Sequence, residues 1–198
     1  MKVLIACEFS GVVRDAFSKR GHDAWSCDLL PSEQPGNHIQ QDVEYILGDG
    51  WDLLIGHPPC TYLTNAGVRH LHSVPSRNGV LAKIHGEERC RAMVADAAFF
   101  LALFTSNVPR IAIENPVPHR YARAFIGKYA QLYHPWMFGH GETKATCLWL
   151  KGLPPLHPTN IVSGRVPRVH KEPPGPDRWK NRSRTLPGIA EAMAEQWG

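Results

Sequence analysis

The sequence predicts an α/β protein built on a doubly wound, mostly parallel β-sheet. Residues 2–7 (KVLIAC) form a short apolar and β-branched run, which is typical of a strand covered on both faces. A glycine turn follows, and then a segment with apolar residues at helical spacing that Gly21 closes. Residues 22–30 and 51–56 are two further strand-like runs. Strand, glycine turn, helix and strand in this order open a doubly wound fold.

The rest of the chain continues the alternation with one less regular stretch. In the last segment Ile189, Met193 and Trp197 lie along one stripe of a helix, which predicts that this face enters the core. The predicted elements are a surface loop rich in His, Arg and Gly (68–86), a long helix (86–107), a strand (110–113), a short helix (121–128), a strand pair (131–153), a proline-rich irregular segment (153–178) and a closing helix (184–198).

Length and composition are those of one folded domain, and we expect residues 1–198 to form it. The chain has 198 residues, of which 43% are hydrophobic and 20% charged, so a core can form and global disorder is excluded. The net charge of +4 is mildly basic. It is compatible with a phosphate-bearing partner and, on charge alone, equally with an ordinary surface.

Cysteine usage and hydropathy predict a reduced, cytoplasmic protein that does not span a membrane. The five cysteines are odd in number, show no CxxC spacing and follow no segment typical of a signal peptide. The longest apolar run, residues 94–104, contains Asp96 and is too short to cross a bilayer. His57 and Cys60 are three positions apart, but no second Cys or His pair has the spacing of a closed zinc site, so no metal is expected.

Polar or unusual residues follow four of the predicted strands. Ligands of an open parallel sheet bind beyond the carboxyl ends of its strands, where these residues would gather on one rim. Each has an ordinary structural interpretation as a turn glycine, a helix cap or a surface acid, but four together indicate a site. The groups are residues 8–11 (EFSG), 27–28 (CD), 57–60 (HPPC) and 114–116 (ENP).

Cys60 is the residue of this rim with the most distinctive chemistry. Pro58 and Pro59 restrict the backbone, and the residues that follow them can open a helix. A thiol at a helix N-terminus has a stabilised thiolate and is a good nucleophile. A lone cysteine is more often a buried, unreactive thiol. The two prolines and the position at a strand end favour the nucleophile here.

These residues together resemble the ordered motifs of the DNA cytosine-5 methyltransferases. The order and rough spacing agree from residue 3 to about residue 116, and the Pro-Pro-Cys and Glu-Asn elements are the specific part. Amino-methyltransferases carry an aromatic residue where Cys60 stands. The stretches that carry the resemblance are FSGVVRDAF (9–17), Asp28, Asp42, DLLIGHPPCTYLTNAG (52–67) and IAIENP (111–116).

The resemblance implies a Rossmann-like fold that uses S-adenosylmethionine to methylate cytosine in DNA, with the base flipped out of the duplex. It implies that Cys60 is the nucleophile, that Glu114 protonates or hydrogen-bonds the base at N3 with a pKa raised by partial burial, and that Asn115 fixes the turn or the base edge. The implied cofactor-binding residues are Glu8, Phe9, Ser10, Gly11, Asp28, Asp42 and Pro58. The implied substrate-binding residues are Pro59, Thr61, Thr143, Lys144, Arg182 and Arg184.

The chain departs from the family pattern at several positions. Val13 stands where a second glycine is usual, His57 replaces a glycine, Thr61 replaces a glutamine and Pro116 replaces a valine. In place of a folded target-recognition domain stands the proline-rich segment 153–178, as in small phage-borne proteins of this kind. The basic residues of this segment are enough to contact phosphates. Sequence specificity is then expected to be low, or to come from a partner or from residues 68–86, whose candidates are Arg69, His70, His72, Arg77 and Lys83.

Two other functions remain open at this stage. An enzyme with the same cysteine and acid can modify a free pyrimidine nucleotide at C5 or transfer another one-carbon group. A protein of a different class, a catalytically silent nucleic-acid-binding module on a methyltransferase fold, has the same overall pattern.

Overall fold

A computed structural model describes residues 1–75, 79 and 81–198, so Arg77 of the predicted target-contacting loop lies outside the described residues. The described chain contains a seven-stranded sheet of order β3-β2-β1-β4-β5-β7-β6. The strands are β1 (Lys2–Ala6), β2 (Asp23–Asp28), β3 (His38–Gln40), β4 (Leu53–Gly56), β5 (Arg110–Pro116), β6 (Gln131–Tyr133) and β7 (Thr146–Lys151). The predicted doubly wound, mostly parallel α/β fold is therefore confirmed.

The sheet reverses its direction of growth between β1 and β4. Strands β1 to β5 are parallel, whereas β7 runs antiparallel between β5 and β6. From β1 the chain proceeds outward to β2 and β3, then crosses back to β4 and proceeds the other way. The carboxyl ends of β1 and β4 consequently flank the crevice where ligands of such sheets bind.

Helices cover both faces of the sheet and close two apolar cores. They are α1 (Val12–Ser18), α2 (Gly86–Phe104), α3 (Arg120–Ile126), α4 (Arg168–Lys171), α5 (Arg178–Ser183) and α6 (Pro187–Trp197). Phe100 of α2 packs with Trp149 of β7 on one face. Phe17 of α1 and Met193 of α6 belong to the core of the other face. Because the strands are apolar on both sides, each face needs a helical layer to exclude water.

Helix α6 shows how the sequence pattern sets the packing. Its stripe of Ile189, Met193 and Trp197 is buried, as predicted. The helix begins with Pro187 at its first position, where a missing N–H costs nothing. The indole Nε1 of Trp197 donates to the Pro154 carbonyl at 3.0 Å, which satisfies its polar group. Helix α6 thereby returns to pack beside α1.

Three segments differ from the sequence-based expectation. Strand β3 was not predicted, because its three residues are largely half-buried and show no apolar run. Residues 65–72, expected within a loop region, form a 3-10 helix, and two further 3-10 helices span residues 43–46 and 135–137. Strand β5 extends beyond residue 113 because Glu114, Asn115 and Pro116 pair with β7. Because of this pairing, Glu114 belongs to the sheet and not to a loop.

Within the described residues, no helix combines the length and apolarity needed to cross a bilayer. The same part of the chain holds no group of three or more His, Cys, Asp or Glu side chains arranged to bind a metal ion.

Candidate active site

The loop that carries Cys60 leaves the sheet at Gly56, the last residue of β4. A Cβ atom there would lie 2.7 Å from Cδ1 of Ile113 in β5, so a larger residue at this position would force the end of that side chain to move. Cys60 then opens a single turn, because its carbonyl accepts hydrogen bonds from the N–H groups of Leu63 (3.1 Å) and Thr64 (3.2 Å). The expected helix N-terminus at Cys60 is wrong, since the next helical segment begins at Asn65.

The Cys60 sulfur lies in a partly buried and mainly cationic setting. Burial is the largest influence on its pKa and raises it, whereas the positive charges of Lys144 and Arg182 lower it and Asp96 raises it. The net result is a raised pKa. Cys60 is therefore a thiol at neutral pH, contrary to the expected thiolate. The positive charges of Lys144 and Arg182 would stabilise the thiolate once the proton is removed.

Glu114 in β5 is paired with His57, the first residue after β4. His57 Nδ1 lies 3.5 Å from Glu114 Oε2, and the two side chains are only 14% and 10% exposed. Burial alone would raise the pKa of Glu114, but His57 and Lys144 outweigh it and lower the pKa. The expectation of a raised pKa, and hence a protonated Glu114, is wrong because it did not include this imidazole.

Asn115 is fully buried beside Glu114 and fixes the end of β5. Its Nδ2 donates to the Pro116 carbonyl at 2.6 Å, while its Oδ1 has no hydrogen-bond partner among the described residues. Tyr133 of β6 lies on the other side of Glu114, where burial and then the Glu114 charge raise the pKa of Tyr133. The Tyr133 hydroxyl thus keeps its proton.

Two buried polar residues and one half-buried acid, all outside the predicted set, lie against the Cys60 loop. The Arg89 guanidinium donates to the Thr61 carbonyl at 3.2 Å and lies over the Tyr62 ring. His119 Nε2 lies 2.9 Å from the Tyr62 carbonyl, and its Nδ1 accepts from the Ala122 N–H, so Nε2 carries the proton. Asp96 accepts from the Tyr62 backbone. A carboxylate inside the apolar run 94–104 was the sequence signal for Asp96; Arg89 and His119 gave none.

The turn after β1 is built around Glu8. The buried Glu8 carboxylate accepts from the N–H groups of Val13 (2.7 Å) and Arg14 (3.2 Å) at the start of α1, and the Ser10 hydroxyl lies 3.3 Å from it. Gly11 has a φ of 74°, and a Cβ there would collide with the buried Arg14 guanidinium. Glu8 thus caps α1, and Gly11 is buried in a left-handed conformation where the Arg14 side chain leaves no room for a Cβ atom.

Cys7 marks the crevice between β1 and β4. Its φ of 59° is a left-handed conformation that non-glycine residues rarely adopt and that clusters at functional sites. Burial raises the pKa of Cys7, and the charges of Asp28 and Asp42 raise it further. Asp28 Oδ1 accepts from the Leu30 N–H at 2.9 Å and Asp42 Oδ1 from the Glu44 N–H at 3.0 Å. Both predicted carboxylates therefore raise the pKa of the same residue, Cys7, at the crevice.

A cavity of about 330 Å³ opens beside Glu114. Its lining includes Val12, Lys144, Thr146, Asn181 and Arg184. Lys144 Nζ donates to the Arg182 carbonyl at 3.1 Å, which ties α5 to the segment before β7. Thr143 is anchored next to it by the buried Glu142, which accepts from its N–H at 2.8 Å.

Helix α5 lies over the turn after β1. The Trp179 and Phe9 rings are 5.9 Å apart, and the Arg184 guanidinium lies 5.8 Å from the Phe9 ring centroid. Arg184 also forms a bidentate ion pair with Glu33, at 2.6 and 3.0 Å. Arg184 is therefore already paired in this structure.

The predicted site residues fall into two groups. One surrounds Cys60 and Glu114, and the other surrounds the turn after β1. Around the catalytic candidates, Pro58 is buried whereas Pro59 and Thr61 are exposed at the mouth of the loop. The positive charge of Lys144 acts to lower the pKa of both Cys60 and Glu114. The Cys60 thiol in the loop after β4 and the buried Glu114–His57 pair thus lie at the same edge of the sheet, and these groups are of the kinds that perform covalent addition and proton transfer.

No protein-family model and no curated protein matches the chain. Among solved structures it is similar to a proposed DNA modification methyltransferase encoded within an E. coli prophage, with a TM-score of 0.47, 15% identity, and coverage of 88% of this chain and 56% of that one. It is also similar to the Entamoeba histolytica methyltransferase EhMeth, with a TM-score of 0.46, 12% identity, and coverage of 82% and 58%. The chain spans somewhat more than half the length of these two structures.

Proposed function

We propose that this protein is an S-adenosylmethionine-dependent methyltransferase that methylates C5 of cytosine in DNA through a covalent Cys60 adduct. The observation that supports the proposal is that Cys60 and Glu114 lie at the same edge of the sheet. Cys60 is in the loop after β4, and Glu114 is near the end of the neighbouring parallel strand β5, where Gly56 lies opposite Ile113. Lys144 lines the cavity beside Glu114, and its charge acts to lower the pKa of both residues.

The residues of the site divide the chemistry between them. Deprotonated Cys60 adds its sulfur to C6 of the pyrimidine while N3 takes a proton delivered by Glu114, which makes C5 nucleophilic. After C5 has taken up the methyl group, it loses its proton to solvent water, and the electron pair of that C–H bond re-forms the C5–C6 double bond. The C–S bond breaks with the thiolate as leaving group, and N3 returns its proton to Glu114. Asn115 fixes the end of the strand that presents Glu114. Burial of Glu114 and His57 keeps water from competing for these protons.

The turn after β1 fits the proposed cofactor, S-adenosylmethionine, which supplies an electrophilic methyl group. Gly11, with a φ of 74°, gives the tight turn between β1 and α1, and Cys7, with a φ of 59°, follows β1 at the crevice. Asp28 and Asp42 would bind the ribose hydroxyls and the adenine amine, and the Phe9 ring would pack on the adenine. Ser10 and Pro58 would line the methionine end, while Glu8 shapes the turn by capping α1.

The segment 165–184 supports DNA as the partner. It carries seven Lys and Arg residues against two acidic residues, a net charge of +5, whereas the whole chain carries +4. Trp179 in this segment is 53% exposed. A cationic surface with an exposed aromatic ring suits phosphates and an unstacked base next to the cavity. Thr143, Lys144 and Arg182 would then contact the target nucleotide.

A free pyrimidine nucleotide is the second candidate substrate. The cavity beside Glu114 has about 330 Å³ and includes Lys144 and Arg184 in its lining, which are suited to a nucleotide phosphate. This reading keeps Cys60 and Glu114 in the same roles and removes the need for base flipping. The third candidate, a catalytically silent nucleic-acid-binding module, has no role for the ion pair of Glu114 with His57.

Transfer of a tritiated methyl group from S-adenosylmethionine distinguishes these functions when duplex DNA, single-stranded DNA and dCMP are compared. We expect transfer to DNA, and a covalent adduct with DNA containing 5-fluorocytosine that Cys60→Ser abolishes. Cys90→Ser, in α2 and outside the site, is the matched control and should keep both. Transfer to dCMP alone would establish the second candidate. DNA binding without transfer to any substrate, unchanged in Cys60→Ser, would establish the third.

A further inference from the structure

His57 is the residue of the site that the family resemblance leaves without a role. It stands where a glycine is usual, yet the structure places a nearly buried imidazole there, 3.5 Å from the Glu114 carboxylate. A side chain of this size at the end of β4 excludes solvent from one side of the carboxylate. The pair therefore needs a chemical explanation as well as a structural one.

Charged groups from several elements surround this imidazole. Glu114 of β5 and Glu8 of the turn after β1 both favour its protonated form, and Lys144 before β7 opposes it. Burial is the largest influence and lowers the pKa of His57, but the two carboxylates outweigh it and the net pKa is raised. The neighbouring Tyr133 hydroxyl stays protonated and neutral. His57 Nε2 is buried without a hydrogen-bond partner among the described residues.

The geometry resolves a conflict within the proposed mechanism. Glu114 must deliver a proton to N3, but its neighbours hold it ionised at neutral pH. The His57 imidazole lies 3.5 Å away, and its neighbours favour the form that carries this proton. We propose that His57 is a positioning residue that stores this proton and passes it through Glu114 to the pyrimidine N3. This inference rests on the proposed function.

The proton count closes over one turnover. As the Cys60 sulfur bonds to C6, N3 receives a proton from Glu114, which at the same time takes the proton of His57 Nδ1, leaving a neutral imidazole and an ionised carboxylate. When the C–S bond breaks, N3 gives its proton back to Glu114 and the imidazole is protonated again. The net change is the exchange of the C5 hydrogen for a methyl group. His57 is neither consumed nor bonded to the substrate.

The pH dependence of kcat/KM for DNA in the wild type and in His57→Gln tests this role. In the wild type, activity should fall at alkaline pH when the pair loses its proton, so the falling limb reports His57. Without the imidazole the proton must come from Glu114 itself, and the falling limb should move to lower pH by about one unit or more. At alkaline pH kcat should fall about tenfold, with KM for DNA within about twofold.

The control variant is His157→Gln, an exposed histidine whose pH profile should match the wild type. A second measurement does not require the variant to turn over, only that it keeps the wild-type circular dichroism spectrum. NMR titration of the imidazole nitrogens in the wild type and in Glu114→Gln should show the His57 midpoint falling by about one pH unit when its anionic partner is removed. An unchanged midpoint would overturn the inference.

The outcomes separate this inference from the proposed function. Wild-type methyl transfer together with an unshifted profile in His57→Gln overturns the role of His57 and leaves the proposed function standing. Absence of transfer to every pyrimidine substrate overturns the proposed function and this inference with it. A shifted falling limb together with a lowered His57 midpoint in Glu114→Gln supports both.

Discussion

The reactivity of Cys60 depends on a balance between burial and charge. Burial raises the pKa of its thiol, and the cations that oppose this effect come from residues more than 80 positions away in the sequence. The thiolate is therefore formed in small amounts at neutral pH and in increasing amounts as the pH rises. Lys144 is the largest of the opposing influences, so its removal should weaken the nucleophile.

We expect Lys144→Met to slow alkylation of Cys60 by iodoacetamide by about three- to tenfold at mildly alkaline pH, because loss of the cation raises the pKa of the thiol further. The rate is measured for the Cys60 peptide by mass spectrometry, since the chain contains five cysteines. Lys128→Met, which removes an exposed lysine just after α3, should leave the rate unchanged. Equal rates in all three proteins would show that Lys144 does not act on Cys60.

At the residue scale, identities were predictable and protonation states were not. Cys60 and Glu114 could be assigned to one rim because each follows or ends a strand of a parallel sheet. The direction of each pKa shift depends on surroundings that only the folded chain supplies: burial for the thiol, which Lys144 only partly opposes, and His57 for the acid. His57 was visible in the sequence, but its pairing with Glu114 depends on the register of β4 against β5.

Among the elements, α2 and α3 position the Cys60 loop through polar contacts made inside apolar packing. Burial raises the pKa of Asp96 in α2 to about 6, although the Tyr62 backbone and Arg89 lower it. The folded state thus binds a proton on Asp96 more tightly than the unfolded chain does. Stability from this group is fully present below the ordinary pKa of 3.8 and is lost as the pH rises through about 6.

Asp96→Asn should therefore stabilise the protein at neutral pH and change its stability little at acidic pH. The amide keeps an acceptor for the Tyr62 backbone and removes a charge that the fold disfavours. We expect the Tm at neutral pH to rise by about 2–4 °C, which corresponds to ~1 kcal/mol after allowance for the partial exposure of the group. Thermal unfolding is followed by circular dichroism at both pH values.

The matched control for this prediction is Asp49→Asn, at an exposed position in the loop before β4. Its Tm should follow that of the wild type at every pH. A gain in Asp96→Asn that is the same at acidic and neutral pH would contradict the assignment, because a helix-propensity effect would not depend on the titration of this carboxyl.

Elements with a strong period were predictable, and those defined by pairing were not. The sequence alone indicates the apolar stripes of α2 and α6 and the apolar runs of β1 and β4, and the structure buries them. Strand β3 exists because β2 offers it a free edge, and its three residues have no period that could indicate it. The extension of β5 through residues 114–116 likewise depends on β7, which lies 30 positions further along the chain.

For the whole molecule, the two apolar cores carry the stability and the segment around α5 carries little of it. Two tryptophans test this difference with the same substitution. Trp197 is 2% exposed in the core beneath α6, and Trp179 is 53% exposed on α5. The free energy of unfolding should fall by about 3–5 kcal/mol in Trp197→Ala and by about 0.5 kcal/mol or less in Trp179→Ala.

Chemical denaturation at equilibrium measures both free energies. The loss in Trp197→Ala includes the hydrogen bond to the Pro154 carbonyl as well as the cavity left by the indole. Similar losses in the two variants would mean that α5 is part of the cooperative core, contrary to the exposure of its tryptophan.

The pairing of α1 with α6 has a consequence for synthesis on the ribosome. Helix α1 leaves the exit tunnel early, yet Val13 and Phe17 gain their cover only when α6 has been translated about 170 residues later. Until then the nascent chain exposes an apolar surface of the kind that chaperones bind. Ribosomes that stall before residue 187 would therefore release a product prone to aggregation, even though its Cys60 loop and five parallel strands had already been made.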